Sequence, residues 1–139
     1  MKLEIRPESG FLRVDATGEF SLAEAKRTFL EMLEAAAGHQ VRKVLFDGRG
    51  LGGAPAIMER FYYGEFAAKA VAESADRGLL SRSTKFGYVI EEPLRDPQRF
   101  GENVAVNRGM LVKTFDNLQD ALEWLEILPA NQPDPDDGK

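Results

Sequence analysis

Residues 2–6 and 12–16 alternate between apolar and polar side chains and predict two short β-strands at the start of the chain. The segment 7–10, Pro-Glu-Ser-Gly, separates them and has the composition of a turn. Successive side chains of a strand point to opposite faces. The alternation therefore indicates a hairpin with one face buried and the other face in water.

The pattern then changes to apolar residues three and four positions apart, which is typical of an amphipathic helix. Ser21 and Glu24 have the spacing of a capping box, in which each side chain accepts a hydrogen bond from the other residue's backbone N–H. Gly38 marks the predicted end of this helix. A short apolar run within 41–47 then predicts a strand that is covered on both faces.

The rest of the chain continues to alternate helix and strand. The predicted elements are a helix from Pro55 to Ala75 or Asp76, a strand at 85–91, a helix from Asp96–Pro97 to Gly109, a strand at 111–115 and a helix capped by Asn117. The order is β-β-α-β-α-β-α-β-α, with about five strands and about four helices. We therefore predict one α/β domain with a mixed sheet whose later strands are parallel.

This domain is predicted to span residues 1–127. From 128 to 139 the chain is polar and acidic, and we expect a flexible C-terminal tail. No segment has the length of apolar residues that a bilayer span needs, and the first residues do not resemble a signal peptide. A cytoplasmic location is therefore expected.

Charge and cysteine content exclude several classes of function. The net charge is −5 at pH 7 and the basic residues are scattered, which argues against binding to nucleic-acid phosphates. The chain has no cysteine, so disulfides, thiolate metal sites and cysteine nucleophiles are excluded. His39 is the only histidine, which excludes His-based metal clusters, and no serine has the spacing of a catalytic triad. We expect neither a metal nor a cofactor.

Several stretches of sequence resemble a known family. They are Leu45-Phe46-Asp47 at the end of the third predicted strand, Arg99-Phe100, Asn107-Arg108-Gly109, and the segment 115–125. Together with the two N-terminal strands, they resemble the STAS domain, the fold of anti-sigma-factor antagonists and of the cytoplasmic tails of sulphate transporters. The later stretches are similar to a bacterial branch called STAS-like. The resemblance covers residues 1–127 and implies the scaffold.

The resemblance also implies a regulatory position. In the antagonists, a partner kinase phosphorylates a serine or threonine in the loop after the third strand, at the start of the next helix. Here no serine or threonine lies between Thr28 and Ser74, and only Asp47 matches the antagonist loop. We therefore expect a STAS-like protein without the serine switch.

The segment 48–53, Gly-Arg-Gly-Leu-Gly-Gly, matches the G-x-G-x-x-G pattern between a predicted strand and a predicted helix. Such a loop would cradle an anion, with Gly50 and Gly53 allowing close approach and Arg49 adding a charged donor. The alternative is a tight strand-to-helix turn. The sequence favours the turn, because Pro55 begins the helix beyond the glycines and no acidic residue follows at the dinucleotide spacing.

Asp47 and Arg108 each admit two interpretations. At the end of a strand, Asp47 would act as a metal ligand or base, or cap the following turn; we favour the cap. Arg108 precedes a helix-ending glycine, so it would contact an anion or stabilise the helix C-terminus; we favour the second role.

The second helix carries apolar residues on two faces. One stripe is predicted to face the sheet and consists of Ile57, Phe61, Gly64, Ala68, Val71, Ala72 and Ala75. The opposite side and its flanks carry Tyr62, Phe66, Met58 and Tyr63. This second face is either a subunit contact or a ligand pocket, or it is covered by 79–83 or 93–97.

These observations favour a non-enzymatic regulatory or protein-interaction module that binds a protein partner or pairs with itself as a homodimer. Its predicted working surface is the segment from Asp47 to Pro55 with the outer face of the second helix. The alternative is a binder of a small apolar, lipid-like, anionic or nucleotide ligand, with Arg49 or Arg108 at the polar end. An enzyme is disfavoured, because the residues form no catalytic constellation.

Overall fold

A computed structural model describes residues 1–127, and within them the order of elements is the predicted β-β-α-β-α-β-α-β-α. The strands are β1 (Lys2–Glu8), β2 (Phe11–Glu19), β3 (Lys43–Gly52), β4 (Lys85–Val89) and β5 (Leu111–Phe115). The helices are α1 (Leu22–His39), α2 (Ile57–Asp76), α3 (Phe100–Asn107) and α4 (Leu118–Trp124). The predicted tail at 128–139 lies outside the described residues.

The strands form one mixed sheet in the order β1-β2-β3-β4-β5. Strand β1 runs antiparallel to β2, and each later neighbour is parallel, as the sequence predicts. Each parallel connection crosses through a helix, which covers one face of the sheet. Within residues 1–127, no helix has the length and apolar character needed to cross a membrane.

The alternating side chains of the strands build a separate core on each face of the sheet. On one face, α1, α2 and α3 pack on residues that include Leu12, Val14, Val44, Phe46, Phe86 and Tyr88. On the other face, α4 packs on Phe11, Leu45 and Val89. The smaller core leaves room on its face for the charged side chains of β2 and β3.

The glycine-rich segment is a strand, which corrects the prediction of a loop at 48–54. Strand β3 continues to Gly52 because Gly50, Leu51 and Gly52 pair with 17–19 of β2 after a bulge. Packing requires glycine at these positions, because a Cβ on Gly48 would lie 2.8 Å from Ile90 and one on Gly50 would lie 2.8 Å from Thr17. The space beside these two glycines is thus already occupied by side chains of neighbouring segments.

Several helix ends also differ from the prediction. Helix α1 passes through Gly38 and ends at His39, and the following Gln40 caps it with a left-handed backbone. Pro55 precedes α2 instead of opening it, and the Glu59 carboxylate accepts a 2.9 Å hydrogen bond from the N–H of Ala56. Asp96 caps a turn ahead of α3, since its carboxylate accepts from Gln98 N–H and Phe100 N–H.

Other predicted caps are confirmed. The Ser21 hydroxyl accepts a hydrogen bond from Glu24 N–H, although the Glu24 carboxylate bonds to Arg27 and not back to Ser21. Asn117 accepts from Asp120 N–H at the start of α4. Gly109 ends α3 with φ of 93°, a left-handed conformation that glycine adopts without strain.

Helix α2 buries the predicted stripe at Gly64, Ala68 and Val71, but the prediction is wrong at the start of the helix. Its buried residues are Gly64, Ala67, Ala68 and Val71, whereas Ile57 is 66% exposed. Tyr63 also packs on this core, since its hydroxyl lies 2.8 Å from that of Tyr88 on β4. A buried tyrosine needs such a partner, and a partner on a distant strand is invisible to the local periodicity.

Helices α2 and α3 meet at two glycines. A Cβ added to Gly64 would collide with the backbone oxygen of Gly101, and a Cβ on Gly101 would lie 3.0 Å from the backbone oxygen of Arg60. The opposing atoms are backbone and do not move aside as a side chain would. The two helices therefore depend on glycine at this contact.

We expect Gly64→Ala to lower the free energy of unfolding by about 1–3 kcal/mol, because α3 must move away from α2. Gly38→Ala is the matched control, since a Cβ at this helical glycine meets no atom within 4 Å. That control should raise stability by about 0.5–1 kcal/mol, because alanine is the better helix former. Urea unfolding followed by circular dichroism measures both, and equal stability of the two variants would contradict the prediction.

Candidate functional site

The residues predicted to form one working surface lie in separate places. Asp47 and Arg49 lie on the α4 side of the sheet by the alternation of β3. Gly50 belongs to β3, and Gly53 and Pro55 form the connection to α2. Met58, Tyr62, Tyr63 and Phe66 belong to α2, and Arg108 follows α3. The structure thus divides the predicted surface between the two faces of the sheet.

Asp47 lies in a chain of ion pairs across β1, β2 and β3. Arg6 Nη2 donates to Asp15 at 3.0 Å, and Arg13 Nη2 lies 3.3 Å from Asp15 and 3.1 Å from Asp47 Oδ2. Arg49 Nε and Nη2 then contact the two oxygens of Asp47 at 2.9 Å and 2.7 Å. The side chain of Arg13 is completely buried. The chain of charges ties the three strands together.

The surroundings of Asp47 keep its carboxylate charged. Burial alone would raise the pKa of Asp47, but the hydrogen bonds from Arg49 and the charges of Arg49 and Arg13 together hold it below the ordinary value. Both oxygens already accept hydrogen bonds from these arginines. Asp47 is therefore a weak base, and two nitrogens of Arg49 are committed to it. This arrangement suits a structural brace better than catalysis or anion binding.

An apolar surface lies at the start of α2, and we call it the apolar patch. It comprises Ile57, Met58, Phe61, Tyr62 and Phe100. Ile57, Met58 and Tyr62 are 66%, 52% and 45% exposed. The patch is continuous, since residues three and four apart adjoin on a helix and the ring of Phe61 lies 5.6 Å from Tyr62 and 6.4 Å from Phe100.

Phe61, which the sequence pattern assigns to the sheet-facing stripe of α2, is covered in part by α3 instead. Phe100 covers Phe61 from one side, and the guanidinium of Arg108 lies 5.5 Å from the Phe61 ring centre. The predicted cover at 93–97 instead provides backbone oxygens for Arg60, whose side chain donates to Pro93 and Leu94. The cover of Phe61 was missed because α3 is short and far along the chain.

A shallow groove runs along the outer side of α2 and brings three predicted residues together. Tyr62, Phe66 and Arg108 line it, along with Lys26 of α1 and Lys69. Lys26 Nζ lies 5.4 Å from the Phe66 ring centre, and Arg108 pairs with Glu65 at 3.4 Å. The groove thus continues the apolar patch into a surface that mixes aromatic and basic side chains.

A cavity of about 130 Å³ lies between the sheet and helices α2 and α3. The wall is mainly apolar and includes Phe46, Leu51, Ala67, Ile90, Ala105, Met110 and Val112. Polar side chains also line it, and they are Arg60, Tyr63, Tyr88, Asp96, Arg99, Glu102 and Thr114. Of the predicted site residues, Pro55 and Tyr63 line this cavity. Arg49 and Arg108 do not.

Sequence reasoning missed most of the cavity residues, because α3, β4 and β5 contribute them from segments that are far apart in the chain. One available signal was the run of small residues on α2 and α3, including Gly64, Ala67, Gly101 and Ala105. Such residues leave space above aromatic side chains of the sheet. Within residues 1–127, no three His, Asp or Glu side chains are grouped to hold a metal ion.

Comparison with known proteins supports the architecture. No protein-family model and no curated protein matches the chain. The fold is similar to the crystal structure of an anti-sigma factor antagonist from Mycobacterium paratuberculosis, with a TM-score of 0.56 and 16% sequence identity. The match covers 90% of this chain and 93% of that chain. This similarity confirms the predicted STAS-like fold.

We expect the Asp47 brace to make stability depend on acid pH. The folded pKa of Asp47 is lowered, so its contribution is complete above the unfolded value of about 3.9 and is lost as the pH falls through the folded pKa. Asp47→Asn should lower the free energy of unfolding by about 3 kcal/mol at pH 7, because buried Arg13 loses a charged partner. The variant should also show a shallower loss of stability from about pH 5 downward.

Urea unfolding between pH 2 and 7 measures both effects. Asp76→Asn is the control, because Asp76 pairs with Arg82 at the surface and both side chains are more than half exposed. This control should change stability by less than about 1 kcal/mol. If Asp47→Asn keeps the acid dependence of the unmodified protein, Asp47 does not carry the brace.

Proposed function

We propose that this protein is a non-enzymatic interaction module that binds a protein partner through the apolar patch. The observation that carries the proposal is the exposure of Ile57, Met58 and Tyr62 on consecutive turns of one helix. Aromatic side chains and Met are enriched at protein interfaces and depleted from other surfaces. Fully burying an exposed Ile or Met side chain contributes about 1.5–3 kcal/mol, and burying the exposed part of these side chains contributes a share of that.

The location of the patch supports a regulatory role. It begins with the first turn of α2, directly after β3, and the family resemblance assigns the regulatory residue of the antagonists to the start of this helix. The similar solved structure is described as an anti-sigma factor antagonist. By analogy, the partner of this chain is a regulatory protein of the anti-sigma factor type.

The proposed module works without a serine switch at this position. No serine or threonine lies between Thr28 and Ser74, and the start of α2 presents Ile57 and Met58. Phosphorylation there would add nearly two negative charges to an apolar surface, whereas this sequence offers no acceptor. We therefore propose that binding at the patch does not depend on serine or threonine phosphorylation at the start of α2.

We expect the double substitution Met58→Glu and Tyr62→Glu to weaken partner binding at least tenfold, about 1.4 kcal/mol, by placing charge in the interface. The immobilised chain is used to capture proteins from the source cells. The captured proteins are then quantified by mass spectrometry. The captured partner is then purified and titrated calorimetrically against each variant. Sedimentation of the chain alone tests whether the partner is a second copy.

Leu30→Glu is the matched control for this experiment. Leu30 is 49% exposed, about as much as Met58, but it belongs to α1 and lies outside the apolar patch. The proposal requires the partner to bind the control and not the double variant. A partner retained by the double variant, or lost equally from the control, would assign binding to another surface.

Binding of a small ligand is a second candidate function, and the cavity under α2 favours it. The site differs from the one expected from sequence, because Arg60 and Arg99 line the cavity and Arg49 and Arg108 do not. We expect native mass spectrometry of the gently desolvated protein to show a releasable extra mass. Ala67→Leu, which adds a larger side chain to the cavity wall, should remove that mass. The same mass on both proteins would place the ligand elsewhere.

A further inference from the structure

The size of the cavity limits what it can hold. Its volume of about 130 Å³ is close to that of an engineered apolar cavity of about 150 Å³ that binds benzene. A lipid chain or a nucleotide is much larger than this space and would extend out of its open side. The volume therefore fits a molecule built on a single ring.

Two tyrosines whose hydroxyls contact each other line the cavity. Tyr63 and Tyr88 both line the cavity, and their hydroxyl oxygens lie 2.8 Å apart. In the described part of the chain, each hydroxyl has only the other as a hydrogen-bond partner. One hydrogen serves their mutual bond, so the second hydrogen is left for an acceptor outside the pair.

Both tyrosines keep their hydrogens at neutral pH. Burial raises the pKa of Tyr63 to about 12, despite the opposing hydrogen bond from Tyr88. Burial also raises the pKa of Tyr88 well above its ordinary value, and the neighbouring Tyr63 adds to the effect. The pair is therefore a neutral hydrogen-bond donor over the whole physiological range.

Two charged groups at the cavity wall, Arg60 and Glu102, already have hydrogen-bond partners. The Arg60 guanidinium donates to the backbone oxygens of Pro55, Pro93 and Leu94. Glu102 Oε1 accepts from both the N–H and the hydroxyl of Thr114, and its other oxygen lies 3.8 Å from Arg99. Because the wall is mainly apolar and an unpaired charge is costly to bury, this arrangement favours a neutral ligand.

We infer that the cavity binds a small neutral molecule with one ring and one oxygen that accepts the spare hydrogen bond of the Tyr63–Tyr88 pair. This inference deepens the ligand-binding candidate and is independent of the apolar patch. The ring occupies the apolar wall beside Phe46, Ala67 and Met110. The oxygen supplies the partner that the two buried hydroxyls lack.

Three probes of similar size test this inference. Phenol has the ring and the oxygen, toluene has the ring and a methyl group in place of the hydroxyl, and benzoate carries a charge. Each is titrated into the purified protein while the methyl signal of Met110, which lines the cavity, is followed by NMR. We expect saturable shifts with phenol and toluene, and at least tenfold weaker binding of benzoate.

A double substitution, Tyr63→Phe with Tyr88→Phe, isolates the hydrogen bond. It removes both polar partners and keeps the ring shapes, so stability should change little. We expect phenol affinity to fall about fivefold relative to toluene, the factor that one net neutral hydrogen bond provides. A single substitution is unsuitable, because the remaining hydroxyl would then be free to donate to the ligand.

Each other outcome overturns the inference. Absence of saturable shifts with phenol and toluene would mean that the cavity is filled by water or closed to ligands. Benzoate binding as tightly as phenol would contradict a neutral ligand, and an unchanged phenol-to-toluene ratio would contradict the role of the tyrosine pair. None of these results affects partner capture by Met58 and Tyr62, so failure of the cavity and failure of the patch are distinguishable.

Discussion

The close contact of α2 with α3 at Gly64 and Gly101 positions both the apolar patch and the cavity. With no Cβ on either residue, the two helix backbones approach each other directly above the sheet. This contact brings Phe100 beside Phe61 and Arg108 over the Phe61 ring. The same approach forms one wall of the cavity, since Gly64 and Gly101 both line it. The apolar patch and the cavity thus have a common structural origin in two residues without side chains.

The two faces of the sheet have different physical characters. On the α4 side, Arg13 and Asp47 are buried, and each charge is matched by neighbours on β1, β2 and β3. A buried charge network of this kind rigidifies strands but leaves few atoms for a ligand. On the other side, small residues of α2 and α3 lie above Phe46 and Tyr88, whose rings stack 4.6 Å apart. Large aromatic groups below and small residues above leave the space that the cavity occupies.

Local patterns predicted the fold well, because strand alternation, helical spacing and caps such as Ser21 and Asn117 are encoded in adjacent residues. They failed where distant segments decide the conformation. The segment from Gly48 to Gly52 was predicted to be a loop, but pairing with β2 makes it part of strand β3. Tyr63 was predicted to lie at the flank of the second face of α2, but its contact with Tyr88 on β4 stabilises it in the core. The expected site was divided for the same reason, since Asp47 and Arg49 lie on one face of the sheet while α2 lies on the other.

The shared use of α2 and α3 links the two proposed sites physically. Arg60 and Arg99 line the cavity, and the residues that follow them, Phe61 and Phe100, form part of the apolar patch. Side chains of successive residues leave a helix about 100° apart, so Arg60 and Phe61 of α2 serve the interior and the exterior surface, while Arg99 lies just before α3. A change in the separation of α2 and α3 would alter the cavity volume and the Phe61–Phe100 distance together. Because Gly64 and Gly101 set that separation at its minimum, the same two residues determine the geometry of both surfaces.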